Sequence, residues 1–298
     1  MDSAESINAL RLVLSLLILT YASLSDLRTR KVPNVYWIGL GVAGIGLILV
    51  QLYVDDMPIE YLLVFVPILA ILADVYLGSE EETTRAKLTT FGKYALALGS
   101  ILVLAYQYGS DEYFQHLLAI PIMMLFVVVM YMLDIVRGGA DAKAIMSLSI
   151  LFPFIPAFGS LPLIHGGTAA SEILLPFSFS ILFNDALIVA LTTPLIYLAK
   201  NLKRREFVFP LGLLGYKMDT AEIANKHVWL MESIVNGKLV THARPRRQED
   251  PKADIELLAS SGYRRVWVTP KIPFIVPMLA SLILTTVVGN ILLLIFPI

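Results

Sequence analysis

The sequence contains no cysteine and few charged residues. Cysteine is absent from all 298 residues, which excludes a disulfide framework, a thiolate zinc site and a cysteine nucleophile. Charged side chains make up only 16% of the chain, whereas hydrophobic residues make up 57% and the mean hydropathy is +0.74. So few polar side chains cannot cover a surface that faces water on all sides. The composition therefore predicts a membrane protein with several spanning segments.

Long apolar windows indicate where the chain crosses the membrane. Only a helix or a closed barrel satisfies every backbone hydrogen bond in hydrocarbon, so windows of about 20 apolar residues predict spanning helices. Eight such windows are present: 7–25, 36–54, 60–77, 94–108, 113–134, 144–164, 173–199 and 272–297. The glycines of the second window predict close approach of a neighbouring helix, and they are Gly39, Gly41, Gly44 and Gly46. The predicted core is therefore all-α, with about eight transmembrane helices.

Basic residues are distributed unevenly between alternate connections. The connections 26–35, 78–93, 135–143 and 200–271 contain 22 of the 23 lysines and arginines. By the positive-inside rule these connections are cytoplasmic, which predicts a multi-pass protein of the cell membrane with both termini outside. The remaining basic residue, Arg11, is expected to reach the nearer membrane face. Because positive charge follows the first apolar run, that run is expected to be a retained helix and not a secretory signal peptide.

The only long polar stretch, residues 200–271, predicts a small α+β cytoplasmic subdomain. It divides the chain into a transmembrane core over 1–199, the subdomain over 200–271 and a C-terminal transmembrane helix over 272–298. Helical spacing predicts a helix over 220–235 that stops at Asn236-Gly237, and strands are predicted over 238–243 and 265–269. The stretch has 14 basic and 8 acidic side chains, an excess of +6. This excess has two interpretations, attraction to anionic lipid headgroups or a docking surface for a partner.

Carboxylates at membrane depth are candidate functional groups, because ionisable side chains are costly there. Five aspartates qualify, namely Asp26, Asp74, Asp134, Asp141 and Asp185. Asp26 ends the first window and Asp141 opens the sixth, both on the predicted cytoplasmic side, so their side chains can meet across a helical bundle. The alternatives are a solvated flank for Asp26 and a helix N-cap for Asp141. For the other three, the alternative is an interfacial carboxylate or a polar contact between helices, and Asp185 is the strongest of them as a third functional acid.

The residues around Asp26 and Asp141 suit access by a peptide. Asp26 begins the run Asp26-Leu-Arg-Thr-Arg-Lys-Val-Pro-Asn34, in which Pro33 stops helix continuation and sets an extended entry into the next span. Asp141 ends the run Gly138-Gly139-Ala140-Asp141. The two glycines allow another chain to approach without interference from a Cβ atom.

Together these motifs resemble those of the type IV prepilin peptidase family of membrane aspartic proteases, and most closely its archaeal preflagellin (archaellin) and prepilin peptidases. The segment Val266-Trp-Val-Thr-Pro-Lys-Ile-Pro-Phe274, which leads into the last window, supports the resemblance. The resemblance implies that Asp26 and Asp141 are the two catalytic aspartates, and that Gly138 and Ala140 hold the first and third positions of the family's Gly-x-hydrophobic-Asp box. Smaller archaeal members have six spans, which makes six the alternative to eight.

The resemblance also implies an activity. It implies an aspartic endopeptidase that cleaves the short basic leader from preflagellin or prepilin precursors at the cytoplasmic membrane boundary. One aspartate activates a water and the other protonates the scissile amide, so no metal or cofactor is needed. The histidines agree, because they are scattered over both predicted sides of the membrane: His116, His165, His227 and His242. Without the cysteine-rich segment of bacterial members, we expect no N-methylation of the product. The expected partners are precursor proteins and membrane lipids, and nothing resembles a nucleic-acid module.

Three further hypotheses remain open. Glu80, Glu81 and Glu82 are candidates for attracting the basic leader, over the roughly 10 Å that screening allows, and a solvated charge run is the alternative. An intramembrane protease of the presenilin or signal-peptide-peptidase type expects a Tyr-Asp pair before its box, where this chain has Tyr131-Met-Leu-Asp134. A proton-coupled transporter places its acids near the midplane, which suits Asp185 but neither Asp26 nor Asp141.

Overall fold

The computed structural model describes residues 3–78, 83–136, 138–164, 169–224, 226–243 and 251–295. Most of these residues are helical. The helices are α1 (Ser3–Thr29), α2 (Asn34–Val54), α3 (Phe65–Leu77), α4 (Thr84–Tyr108), α5 (Glu112–Met132), α6 (Gly139–Leu151), α7 (Ala169–Leu174), α8 (Phe177–Arg204), α9 (Leu211–Leu214), α10 (Thr220–Ile223), α11 (Pro251–Ser260), α12 (Ile275–Val287) and α13 (Leu292–Ile295), with a 3-10 helix at Ile59–Val64 before α3. The strands are β1 (Tyr216–Asp219), β2 (Val228–Leu230), β3 (Glu232–Val235), β4 (Lys238–Thr241) and β5 (Arg265–Pro270).

Within the described residues, six helical segments are long and apolar enough to cross a membrane. They are Ala4–Thr29, Asn34–Val54, Ile59–Leu77, Thr84–Tyr108, Glu112–Met132 and Phe177–Arg204. The predicted class, a mostly helical protein with several spans and a small sheet-containing C-terminal region, is confirmed. The predicted count of about eight spans is not confirmed, and the observed number equals the alternative of six.

Two of the eight apolar windows do not form helices of spanning length. In the window 144–164, only the part that belongs to α6 is helical over more than a turn, and α6 ends at Leu151. Pro153 and Pro156 follow this helix, and neither has an amide hydrogen that could continue it. The last window contributes α12, which has 13 residues, and Gly289 follows with a φ of +97°. The backbone after α6 then pairs with the end of α12, since Ile164 donates its N–H to the Val288 carbonyl at 2.7 Å. Backbone amide and carbonyl groups outside regular helices need hydrogen-bond partners in an apolar protein, and here the two segments provide partners for each other.

The chain forms two compact units, and the first comprises Met1–Asp185 and Pro273–Ile298. In this unit α2 packs closely on α6. A Cβ atom added at Gly44 would lie 2.9 Å from the Leu151 amide nitrogen, whereas one at Gly39 or Gly46 would meet nothing within 4 Å. Ser147 of α6 donates its hydroxyl to the Trp37 carbonyl of α2 at 3.0 Å. Gly44 is therefore the one of the four glycines at which a side chain would prevent the close packing of α2 on α6.

Arg11 is buried within the first unit. Its side chain in α1 is 0% exposed. The guanidinium interacts electrostatically with Tyr113 and Asp55, and the Tyr113 hydroxyl bonds to Asp55 at 3.0 Å. A buried cation needs a nearby anion to offset its desolvation, and Asp55, the C-cap residue of α2, supplies that negative charge.

The second unit, Ala186–Ile272, contains all the described strands. One sheet has the antiparallel order β1-β5-β2, and β3 pairs with β4 in a separate hairpin. The strands predicted over 238–243 and 265–269 are confirmed as β4 and β5. The helix predicted over 220–235 is wrong beyond its first turn, because the chain continues into β2 and β3. Asn236 and Gly237, with φ of 52° and 75°, form the two-residue turn between β3 and β4, for which the pair Asn-Gly is strongly preferred.

Candidate active site

Asp26 lies in the last turn of α1, just before the chain reverses. Its carbonyl accepts the N–H of Arg30 at 2.9 Å, and Arg30 ends the helix in the left-handed region with a φ of 56°. Pro33 then adopts the extended conformation, φ −60° and ψ 140°, and α2 begins at Asn34. The turn therefore follows from local sequence, and the Asp26 side chain is left half-buried beside it.

Asp141 lies in the first turn of α6, but it is not the helix cap. Gly138 occupies the N-cap position, and no side chain caps the helix there. A Cβ atom added at Gly138 would lie 2.0 Å from Oδ2 of Asp141, whereas one at Gly139 would have as its nearest neighbour the Tyr131 hydroxyl at 3.8 Å. The two glycines are therefore not equivalent. Glycine at 138 leaves the space that the Asp141 carboxylate occupies, and 139 tolerates a side chain.

The charge of Asp26 acts on the carboxyl group of Asp141. Asp141 lies outside the six candidate spans, and burial, with the charge of Asp26 as a smaller cause, raises its pKa to about 7. Two carboxylates that interact in this way resist simultaneous ionisation, so such a pair can hold one proton near neutral pH. Such a pair can activate a water molecule and donate a proton in the same reaction.

A third acid, Asp185 of α8, belongs to the same cluster. Its side chain is 0% exposed, neither oxygen has a hydrogen-bond partner among the described residues, and it is electrostatically coupled to Asp141. The preceding residue holds this part of α8 in place. Asn184 donates its amide to Thr285 Oγ1 at 2.9 Å and to the Gly289 carbonyl at 2.8 Å, at the end of α12.

A hydrogen bond joins the end of the run 26–34 to a residue just after the run 138–141. The ammonium group of Lys143, two residues after Asp141, donates to Asn34 Oδ1 at 3.0 Å. The same ammonium lies 5.0 Å from the ring centroid of Tyr76 in α3, close enough for a cation–π interaction. Sequence reasoning missed Lys143 as a site residue, although its place beside the glycine box was the available signal. These contacts hold the start of α2 against the first turns of α6.

Asp74 has partners outside this cluster. Asp74 of α3 pairs with Lys93 and bonds to Tyr94 of α4, a polar contact between helices. Asp134 follows α5 in a left-handed conformation with a φ of 55°. Glu80, Glu81 and Glu82 lie outside the described residues, as does His165. In the described parts of the chain, no three His, Cys, Asp or Glu side chains are grouped so that they could hold a metal ion.

Several apolar helices and three comparisons with known proteins define the class, a membrane protein. Residues 208–291 match the family described as Archaeal Peptidase A24 C-terminus Type II. The chain is 29% identical over 160 residues to a preflagellin peptidase of Methanocaldococcus jannaschii. The aligned region covers 51% of this chain and 63% of the relative, so the chain spans less than two thirds of that relative's length. It is also 25% identical over 288 residues to a preflagellin peptidase of Methanococcus voltae. That alignment covers 93% of this chain and 94% of the relative. These matches show that the chain is similar to archaeal preflagellin peptidases and support an assignment to that family.

Proposed function

We propose that the protein is a membrane aspartic endopeptidase that removes the leader peptide from preflagellin-type or prepilin-type precursors. The names of the two relatives support the substrate class. The observation that carries the catalytic type is the electrostatic coupling of Asp26 and Asp141, which come from helices more than one hundred residues apart in the chain. No group of three His, Cys, Asp or Glu side chains among the described residues could hold a metal ion instead.

In the proposed mechanism, the aspartate pair holds one proton. The ionised carboxylate takes a proton from a water molecule, whose oxygen attacks the carbonyl carbon of the scissile peptide bond. The protonated carboxyl then gives its proton to the leaving nitrogen as the C–N bond breaks. The pair titrates as a unit, so the two roles belong to the dyad. The product is a free amine, and without cysteine we expect it to stay unmethylated.

The proposed location follows from the distribution of basic residues. Asp26 and Asp141 lie beside basic connections, which the positive-inside rule places in the cytoplasm. A precursor with a basic leader followed by a hydrophobic helix presents its cleavage site at that membrane boundary. Glu80, Glu81 and Glu82 lie on the same predicted side and are proposed to attract the leader. Charge reversal of the three glutamates should then weaken cleavage at low salt more than at high salt.

The test is cleavage of a purified preflagellin by the full chain in liposomes. Asp26→Asn and Asp141→Asn should each lower kcat by roughly 100-fold to 10,000-fold, as expected for loss of a general acid or base. Asp74→Asn is the matched control, because Asp74 is also an aspartate at membrane depth but pairs with Lys93. Mass spectrometry of the product should show an unmodified N-terminus. Full cleavage by either dyad variant would reject the aspartic mechanism.

One observation favours a second candidate function. The buried Asp185 of α8 is the kind of acid that proton-coupled transporters use. Transport predicts proton flux in protein-containing vesicles without a precursor substrate, and loss of the flux in Asp185→Asn. Cleavage without proton flux would leave the peptidase as the only function of the cluster.

A further inference from the structure

The second unit contains a polar cavity of about 440 Å³ next to the end of α8. Strands β1 and β5 and the helical turn α10 complete its walls. The side chains that line it include five basic residues, Lys200, Arg204, Lys217, Lys226 and Arg265, and two acidic residues, Asp219 and Glu222. Every lining residue belongs to the second unit, and none belongs to the aspartate cluster.

Positive charge exceeds negative charge in this cavity. Arg265 is paired with Glu206, to which it is held by two hydrogen bonds. Asp219 and Glu222 contribute two negative charges, and the Asp219 carboxylate also accepts the N–H of Ala221 at 3.0 Å. In the part of the chain that the structure describes, no carboxylate forms an ion pair with the other four basic residues. The cavity therefore retains a net positive charge that suits an anion.

An aromatic ring holds two of the cations side by side. The Lys200 ammonium lies 3.1 Å from the ring centroid of Tyr216, and the Arg204 guanidinium carbon lies 5.8 Å from it. Arg204 also donates to the Lys217 carbonyl at 3.1 Å. Cation–π contacts fix positive groups without neutralising them. Lysine and arginine arranged in this way are typical ligands of phosphate oxygens.

The position of the two residues along α8 selects the source of the anion. Lys200 and Arg204 lie in the last turns of Phe177–Arg204, a candidate membrane span. Basic side chains at the end of an apolar span lie at the level of lipid headgroups. A soluble metabolite or an acidic protein segment has no such reason to meet the end of a span.

We propose that this cavity binds the phosphate group of an anionic phospholipid headgroup. Lys200 and Arg204 contact the phosphate oxygens, and Lys217 and Lys226 contribute to the positive field. The binding attaches the second unit to the membrane surface. This site is independent of the proposed peptidase activity, and it identifies a specific location for part of the basic excess of residues 200–271.

The test measures binding of short-chain phosphatidylglycerol to the full chain in neutral detergent. Lys200→Gln combined with Arg204→Gln should weaken binding by roughly tenfold or more. The matched control is Lys203→Gln combined with Arg205→Gln, which removes the same charge from exposed residues of the same helix end, and it should weaken binding less than twofold. Lys200→Arg should retain binding, which would show that the positive charge at this position is what the site requires.

Three results would overturn the proposal. Equal loss in the two double variants would mean diffuse surface attraction and no site. Equal binding of short-chain phosphatidylcholine would mean that the anionic headgroup is not recognised. Competition by inorganic phosphate at the same concentration as the lipid would assign the cavity to a soluble phosphate compound. Tight binding of the lipid, with weak competition by inorganic phosphate, supports a headgroup site.

Discussion

The acidic cluster of the first unit and the basic cavity of the second differ in what surrounds their charges. Asp185 is fully buried among helices, and Asp141 is half-buried beside it. Arg204 and Lys226 of the cavity are exposed. Low dielectric strengthens the interaction between buried charges, whereas water and salt weaken it between exposed charges. Changes in the first region should therefore have large effects that depend on neighbouring residues, and changes in the second should have small effects that depend on salt.

Apart from replacement of Asp26 or Asp141 itself, the largest effect on cleavage is expected at the glycine box. Gly138→Ala places a methyl group where the Asp141 carboxylate lies, so the carboxylate must move and cleavage should fall about 100-fold, since a displacement near 1 Å can cost that much. Gly139→Ala, whose methyl group would make only an ordinary van der Waals contact with the Tyr131 hydroxyl at 3.8 Å, should keep most of the activity. Both variants should unfold at nearly the same temperature. Equal activities would show that the position of the Asp141 carboxylate is not critical.

The next effect concerns stability and pH. Because the pKa of Asp141 is raised from 3.8 to about 7, the folded protein keeps a proton that the unfolded chain releases near pH 4. Folding stability is therefore lost as pH rises between these two values. Asp141→Asn should be more stable than the wild type at about pH 8, by on the order of 2 kcal/mol after allowance for partial exposure, and nearly equal at about pH 4. Thermal unfolding in detergent measures the difference, and an equal gain at both pH values would exclude proton binding as its cause.

A smaller effect is expected at Asp185. If the catalytic pair is Asp26 and Asp141, Asp185→Asn should lower kcat by no more than about tenfold, because it changes the charge near the dyad and not the dyad itself. The pH dependence of kcat should shift at the same time. A loss as large as that of Asp26→Asn would instead make Asp185 a catalytic acid. Asp185→Glu, measured in parallel, tests whether charge alone restores the rate.

The smallest effect is expected at the exposed ion pair of the second unit. Glu206→Gln removes the partner of Arg265, a pair whose side chains are partly exposed, and should lower the free energy of unfolding by less than about 1 kcal/mol. The difference should decrease further at high salt. A loss comparable to that of a buried charge would contradict the distinction between the two regions.

The accuracy of the sequence-based predictions depended on how local their signals were. Pro33 and Arg30 end one helix and begin another through their own backbone preferences, so the turn beside Asp26 was predictable. The helix over 220–235 was wrong because its apolar spacing also suits strands, and the Asn236-Gly237 signal for a hairpin was interpreted as a helix stop. The windows 144–164 and 272–297 were apolar enough to span a membrane, but Pro153 and Gly289 stop regular helix there, and the resulting segments pair with each other.

The sequence by itself determined the membrane class, the distribution of basic residues and the two aspartate motifs, because these depend on composition and on residues adjacent in the chain. Only the tertiary structure decided which glycine lies against the Asp141 carboxylate, that Lys143 bonds to Asn34, that Asp185 joins the acidic cluster, and that Lys200 and Arg204 share the ring of Tyr216. These contacts mostly join residues far apart in the chain. Their distances depend on how the helices and strands pack, which no local pattern specifies.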